Sequence, residues 1–198
     1  MAQFCAVADL AAFLQIVIPE NNASAVRAIA AASAAIQGHT RQQLEAVVDD
    51  VVSLDSVGAD RLILPEVPVT AVDDVVENGA LLDPSAYKWA RAGILYRLVG
   101  RWRAGIQIVE VTYSHGYAVI PGDVVDVCVR AAARAYQAGL RAAAADGVAG
   151  LQSEQLADHN VSFESAGSAS REWMLGASAA PMLLRSEQEV LNRYRMSR

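Results

Sequence analysis

The spacing of apolar residues changes character several times along the chain, and each change marks an element. Residues 8–18, ADLAAFLQIVI, carry the pattern of a short helix that Pro19-Glu20-Asn21-Asn22 stops. Asn22 is placed to cap a second helix over Ala23–Gln37, whose stripe is Val26, Ile29, Ser33 and Ile36 and whose expected stop is Gly38. From about Ala46 to Tyr117 the period shortens to that of strands: AVVDDVVSLD, RLILP, VTAVDDVVE, ALL, YKWAR, ILYRLV and IQIVEVTY. In the last of these, Val109, Val111 and Tyr113 share one side, while Ile106 and Ile108 are out of phase. Either both faces are covered there or a bulge re-aims the strand.

Turn chemistry separates the strands. Asn78-Gly79 is a two-residue hairpin signal, because a type I′ turn needs positive φ at both central positions. Ala92-Gly93 is a weaker second one. Pro65 and Pro68 confine Leu64–Val69 to an edge, a bulge or a turn, and His115-Gly116 reads as the turn that closes the last strand. Pro121 then suits the first turn of a long helix. One side of that helix carries Val124, Cys128, Ala132, Ala135 and Gly139, the other Arg130, Arg134 and Arg141. Residues 146–180 are rich in Gly, Ser and Ala and keep no period, although Val161 with Phe163, and Trp173, form apolar islands in them. A short amphipathic helix with a basic end closes the chain, with Leu184, Leu191 and Tyr194 on one stripe.

These elements predict an α+β fold. A helical core (two N-terminal helices, a long central helix and a C-terminal helix) carries an inserted antiparallel β meander. The expected divisions are N-terminal helices over 1–45, a β insertion over 46–119, the central helix over 120–145, a flexible extended arm over 146–180 and a C-terminal docking helix over 181–198.

Charge and chemistry narrow the function classes. A net charge of −6 argues against gripping DNA as the main activity. The charge is also segregated: residues 41–80 hold nine acids against Arg41 and Arg61, whereas residues 81–141 hold eight bases against four acids. Such opposed halves fit either a head-to-tail ring or, as is more common, solvated faces with no partner. Cys5 and Cys128 do not make a secreted-type disulfide framework, and Cys128 reads as a small core residue. No membrane span and no signal peptide are expected.

Catalytic constellations are thin. Ser114 and His115 are adjacent on a strand and point to opposite faces, so they do not form a nucleophile–base pair. Asp49-Asp50 and Asp73-Asp74 fail as acid/base pairs for the same reason. Asp158-His159 would hold a metal only with ligands from elsewhere, and no P-loop, GxGxxG, HExxH, CxxC or GxSxG occurs. The expectation is a non-enzyme without cofactor or metal.

The runs LPEVPVTAVDDVVENGALL, YKWARAGILYR and VEVTYSHGYAVIPGDVVDVCVRAAARAY, between the N-terminal AASAAIQGHTRQ and the terminal LRSEQEVLNRYR, resemble the head-to-tail adaptor, or connector, proteins of long-tailed double-stranded DNA phages. The resemblance covers about residues 8–198 and is carried best by Leu64–Val72 and Val111–Pro121. It implies a structural virion protein at the head–tail interface, assembled in the host cytoplasm. It implies a homo-oligomeric ring, usually of twelve subunits, that sits under the portal protein. Such a ring extends the DNA channel, through which DNA passes without sequence-specific binding, and receives stopper or tail-completion proteins. On that reading Leu184, Leu191, Arg193, Tyr194 and Arg195 dock on the portal. Arg130, Arg134 and Arg141 face a neighbouring subunit or the channel, and Val161, Phe163 and Trp173 are arm contacts. The alternatives are another head-closure or monomeric interaction module and, further off, a small hydrolase.

Overall fold

The computed structural model describes residues 3–146, 153–156, 159–162 and 182–196. Its architecture is α+β, with helices flanking antiparallel strands. The described chain forms two compact units, each built from discontinuous segments. Of the described residues, one comprises 3–35, 126–146, 153–156, 159–162 and 182–188, the other 36–125 and 189–196.

The first unit is mainly helical. α1 (Val7–Leu14) opens with the Asp9 carboxylate accepting the Ala6 N–H at 2.8 Å, which satisfies an amide the helix itself leaves unpaired. It ends four residues before the expected Ile18, because Gln15 turns left-handed at φ 54°. α2 (Ala23–Thr40) is capped as expected by Asn22, whose side-chain oxygen accepts the Ala25 N–H at 3.0 Å. Along α2, Ala25, Ala28, Ile29, Ala32 and Ser33 are buried, and along α3 (Gly122–Asp146) so are Cys128, Ala131, Ala132 and Ala133. Side chains this small let helices approach closely, and Ser33 Oγ accordingly lies 3.5 Å from Cys128 Sγ. Cys5 Sγ lies 3.4 Å from the same sulfur, and both cysteines are free thiols. The hydrogen bond to Cys128, then burial, hold the Cys5 thiol well above its ordinary range, so it remains protonated. A backbone hairpin of β8 (Ser153–Leu156) and β9 (His159–Ser162) also falls in this unit.

The second unit contains two antiparallel sheets. The larger has the order β1-β7-β3-β4, from β1 (Val47–Ser56), β7 (Gly105–His115), β3 (Val69–Glu77) and β4 (Ala80–Leu81). The smaller has the order β2-β6-β5, from β2 (Arg61–Ile63), β6 (Ile94–Arg97) and β5 (Tyr87–Ala90). β7, the last strand of this unit, is therefore interior to the larger sheet, between β1 and β3. Val75, Val109, Val111 and Tyr113 from one sheet and Leu62, Tyr87 and Leu95 from the other share a single buried cluster with Trp102. The alternation read for β7 holds: Val109, Val111 and Tyr113 are fully buried, with Glu110 exposed between them.

The phase break in β7 is a bulge. Leu54 pairs with Val109 but Ser56 with Gly105, so the β7 side holds extra residues. Gln107 takes φ 48° and its N–H is received by Asp55 Oδ1 at 2.7 Å. Ile106 is left 85% exposed. The Asn78-Gly79 turn has φ 50° and 79° and joins Glu77 to its partner Ala80, the geometry its chemistry demands. Gly93 likewise takes φ 79° between β5 and β6.

Gly38 does not stop α2. The helix continues to Thr40, whose hydroxyl donates to the Ile36 carbonyl at 3.0 Å, and Arg41 supplies the left-handed residue at φ 54°. Ile36 and Thr40 are both fully buried. Their burial outweighs the roughly 1 kcal/mol by which an interior glycine disfavours helix.

Candidate functional site

The closing segment holds the docking residues expected from sequence, and its side-chain contacts outline the candidate site. α4 (Arg185–Leu191) is short and passes into a 3-10 turn over Asn192–Tyr194. A helix of this length is marginal on its own, so its place depends on tertiary contacts. In the first unit those contacts centre on Glu187. Its carboxylate receives both terminal nitrogens of Arg134, at 2.7 and 2.6 Å, and the Leu184 N–H at 2.8 Å. Arg134 also donates to the Met182 carbonyl at 3.0 Å. The Glu187 side chain is 5% exposed and that of Arg134 37%. The pair is a two-pronged, charge-assisted clasp between the central helix and the C-terminal segment.

In the second unit the 3-10 turn makes its own polar contacts. The Tyr194 hydroxyl lies 2.6 and 2.8 Å from the two carboxylate oxygens of Asp123 and donates to that carboxylate. His39 Nε2 is 3.0 Å from Asn192 Oδ1, and the rings of Tyr194 and Tyr117 meet edge to face. Burial first, and the hydrogen bond to Asp123 next, push the Tyr194 phenol up to about 12. A phenol whose folded value is raised favours the folded state while it is protonated. Its contribution is present below the ordinary value near 10 and is lost as pH rises through 12. We therefore expect stability to decline between those pH values, and Tyr194→Phe to flatten that part of the profile in denaturant titrations. An unchanged slope would remove Tyr194 from the account.

The residues singled out from sequence distribute unevenly. Leu184, Arg193 and Arg195 are exposed and Tyr194 is half-buried. Leu191 is fully buried within its own chain, which corrects its expected place on an open docking stripe: packing against the subunit has already consumed that face. Arg134 is not an open face either, since Glu187 occupies it. Arg130 pairs with Asp126 at 2.7 Å one helical turn away, and Arg141 is exposed. Val161 lies on β9, while Phe163 and Trp173 lie outside the described residues. Ser114 and His115 do not meet. Ser114 Oγ receives the Asp49 N–H at 3.3 Å, whereas His115 is buried with Nε2 3.3 Å from Asp50. Among the described residues no group of His, Cys, Asp and Glu is arranged to hold a metal, and no helix is long and apolar enough to cross a membrane.

Two features escaped the sequence reading. Glu187 lies 53 positions from its partner Arg134, with no local spacing to announce the pair. Phe13, half-exposed on α1, joins Leu14, Arg130, Gln137, Leu184 and Ser186 around an open groove of about 290 Å³ in the first unit. Exposed Phe13 and Leu184 at a groove edge are suited to receive a partner's apolar side chain.

No curated protein matches the chain. Among solved structures it is similar to a chain in the neck of a native gene transfer agent (GTA) particle computed with C12 symmetry, with a TM-score of 0.55 and 17% identity over 97% of this chain and 88% of that one. It is similarly related to a chain in the neck of an empty GTA particle computed with C6 symmetry, at a TM-score of 0.55 and 17% identity over 100% and 94% of the two chains. A chain in the virion of the native particle gives a TM-score of 0.54 and 18% identity over 97% and 89%. These likenesses are of fold. The model of the head completion protein family matches residues 3–130, which is most of the chain. The chain thus belongs to the head completion protein family and is a structural protein of the virion's head–tail interface.

Proposed function

We propose that the chain is the repeating subunit of an adaptor ring, twelve copies seated beneath the portal, which prolongs the DNA channel and presents a platform to stopper or tail-completion proteins. The observation that carries this reading is the near full-length likeness to a chain of a particle neck computed with C12 symmetry, joined to the head completion family match. The net charge of −6 suits a conduit, since phosphate pairing in every subunit would impede sliding DNA. Leu184, Arg193 and Arg195 are the exposed docking residues toward the portal, with the Phe13–Leu184 groove beside the first of them. Leu191 and Tyr194 serve by holding the segment to its own subunit. One such segment binds weakly, but many on a symmetric platform act through effective concentration.

Native mass spectrometry of the purified chain, alone and mixed with a portal ring, tests the reading. Addition of twelve copies per portal is the expected result. A chain that stays monomeric and ignores the portal refutes it.

A further inference from the structure

The two sheets of the second unit differ in charge more sharply than the chain does as a whole. The strands of the larger sheet, β1, β7, β3 and β4, contain Asp49, Asp50, Asp55, Asp73, Asp74, Glu77 and Glu110, and no lysine or arginine. The strands of the smaller sheet contain Arg61, Lys88 and Arg97, and no acid. Strand alternation sorts these residues further, because both sheets turn their other face toward one core.

On the larger sheet, Val52, Leu54, Val75, Val109 and Val111 face inward. The intervening residues therefore face out. Register places Val51, Thr112 and Asp74 in one cross-strand row and Ser53, Glu110 and Val76 in the next. Asp74 and Glu110 are exposed, and Val51 is 56% exposed.

On the smaller sheet, Leu62, Leu95 and Tyr87 face inward, so Arg61, Tyr96 and Lys88 form an outward row across β2, β6 and β5. Ile63, Ile94 and Ala90 form the adjacent row. Tyr96 and Ile63 are exposed, and Arg61, although 3.7 Å from Asp60, keeps 63% of its side chain open. Arg97, on the inward face, is already paired with Glu77 at 3.4 Å. Each outward face thus combines exposed apolar surface with charge of one sign, and the two signs are opposite.

We infer that these faces are the two halves of the contact between neighbouring copies: the Arg61–Tyr96–Lys88 face of one subunit lies on the Asp74–Glu110 face of the next. This rests on the ring reading above and names its interface. A contact between two different surfaces of the same chain is heterologous, and heterologous contacts are the kind that close rings. Like faces repel, which excludes the symmetric dimer, and opposite faces attract, which sets the direction of travel around the ring.

The test is a charge swap on the full chain, read by native mass spectrometry and sedimentation in the presence of the portal ring. Arg61→Glu with Lys88→Glu makes both faces acidic, and Asp74→Lys with Glu110→Lys makes both basic. All four positions are exposed, so each variant should retain its circular dichroism spectrum. Each is expected to weaken ring formation by about tenfold or more at low salt. The four substitutions in one chain should restore it, and so should an equimolar mixture of the two double variants, as an alternating ring with an even subunit count. Double variants that form rings like the parent, or a fourfold variant no better than either, overturn this interface and leave the adaptor reading standing. A parent chain that forms no ring overturns both.

Discussion

Arg134→Ala is expected to destabilise the protein by about 3 kcal/mol, because it leaves the Glu187 carboxylate buried without its cation. The Leu184 N–H still reaches that carboxylate, but one amide does not replace two guanidinium contacts. The partial exposure of Arg134 keeps the cost at the lower end for a broken buried pair. At this chain length such a loss corresponds to a fall in Tm of about 6–12 °C. Because α4 is too short to persist alone, residues 182–196 should show faster amide exchange than in the parent, ahead of the helices and sheets described above. Arg134→Met with Glu187→Leu removes both charges and should recover most of the stability. If Arg134→Ala unfolds in urea at the parent's midpoint, the clasp does not hold the segment.

Gly116→Ala is expected to cost about 4 kcal/mol, more than any surface substitution. Gly116 follows β7 at φ 89°, where three backbone segments converge. Its N–H donates to the Pro68 carbonyl at 2.9 Å, and the next residue, Tyr117, donates to the Leu44 carbonyl at 2.9 Å. A Cβ there falls onto the Glu45 carbonyl, which the Glu45–Tyr117 bridge holds in place. Strain in the left-handed region and a clash with backbone therefore add. Gly79→Ala is the control: its φ is 79°, but a Cβ there meets nothing within 4 Å, so only the conformational cost of roughly 1–2 kcal/mol applies. Equal losses for the two variants would show that the Glu45 contact is immaterial.

Much of this protein was legible in the chain itself because the deciding forces are local. Asn78-Gly79 specifies its turn through the φ values it tolerates, Asn22 caps α2 through its own side chain, and Val109, Val111 and Tyr113 declare the buried side of β7 by alternation alone. The α+β class and the assembly role followed from those pieces and from the resemblance they carry. Tertiary structure decided what local signals leave open. Gly38 looked like a helix end until the burial of Ile36 and Thr40 carried α2 past it. The arginine stripe of α3 looked free until Glu187, far along the chain, closed on Arg134, and Leu191 looked like an external anchor until its own subunit covered it. Helical projection shows which residues share a side, but not which segment arrives to cover that side. That choice is made by long-range packing and by the need to pair every buried charge, and both exist only once the chain has folded.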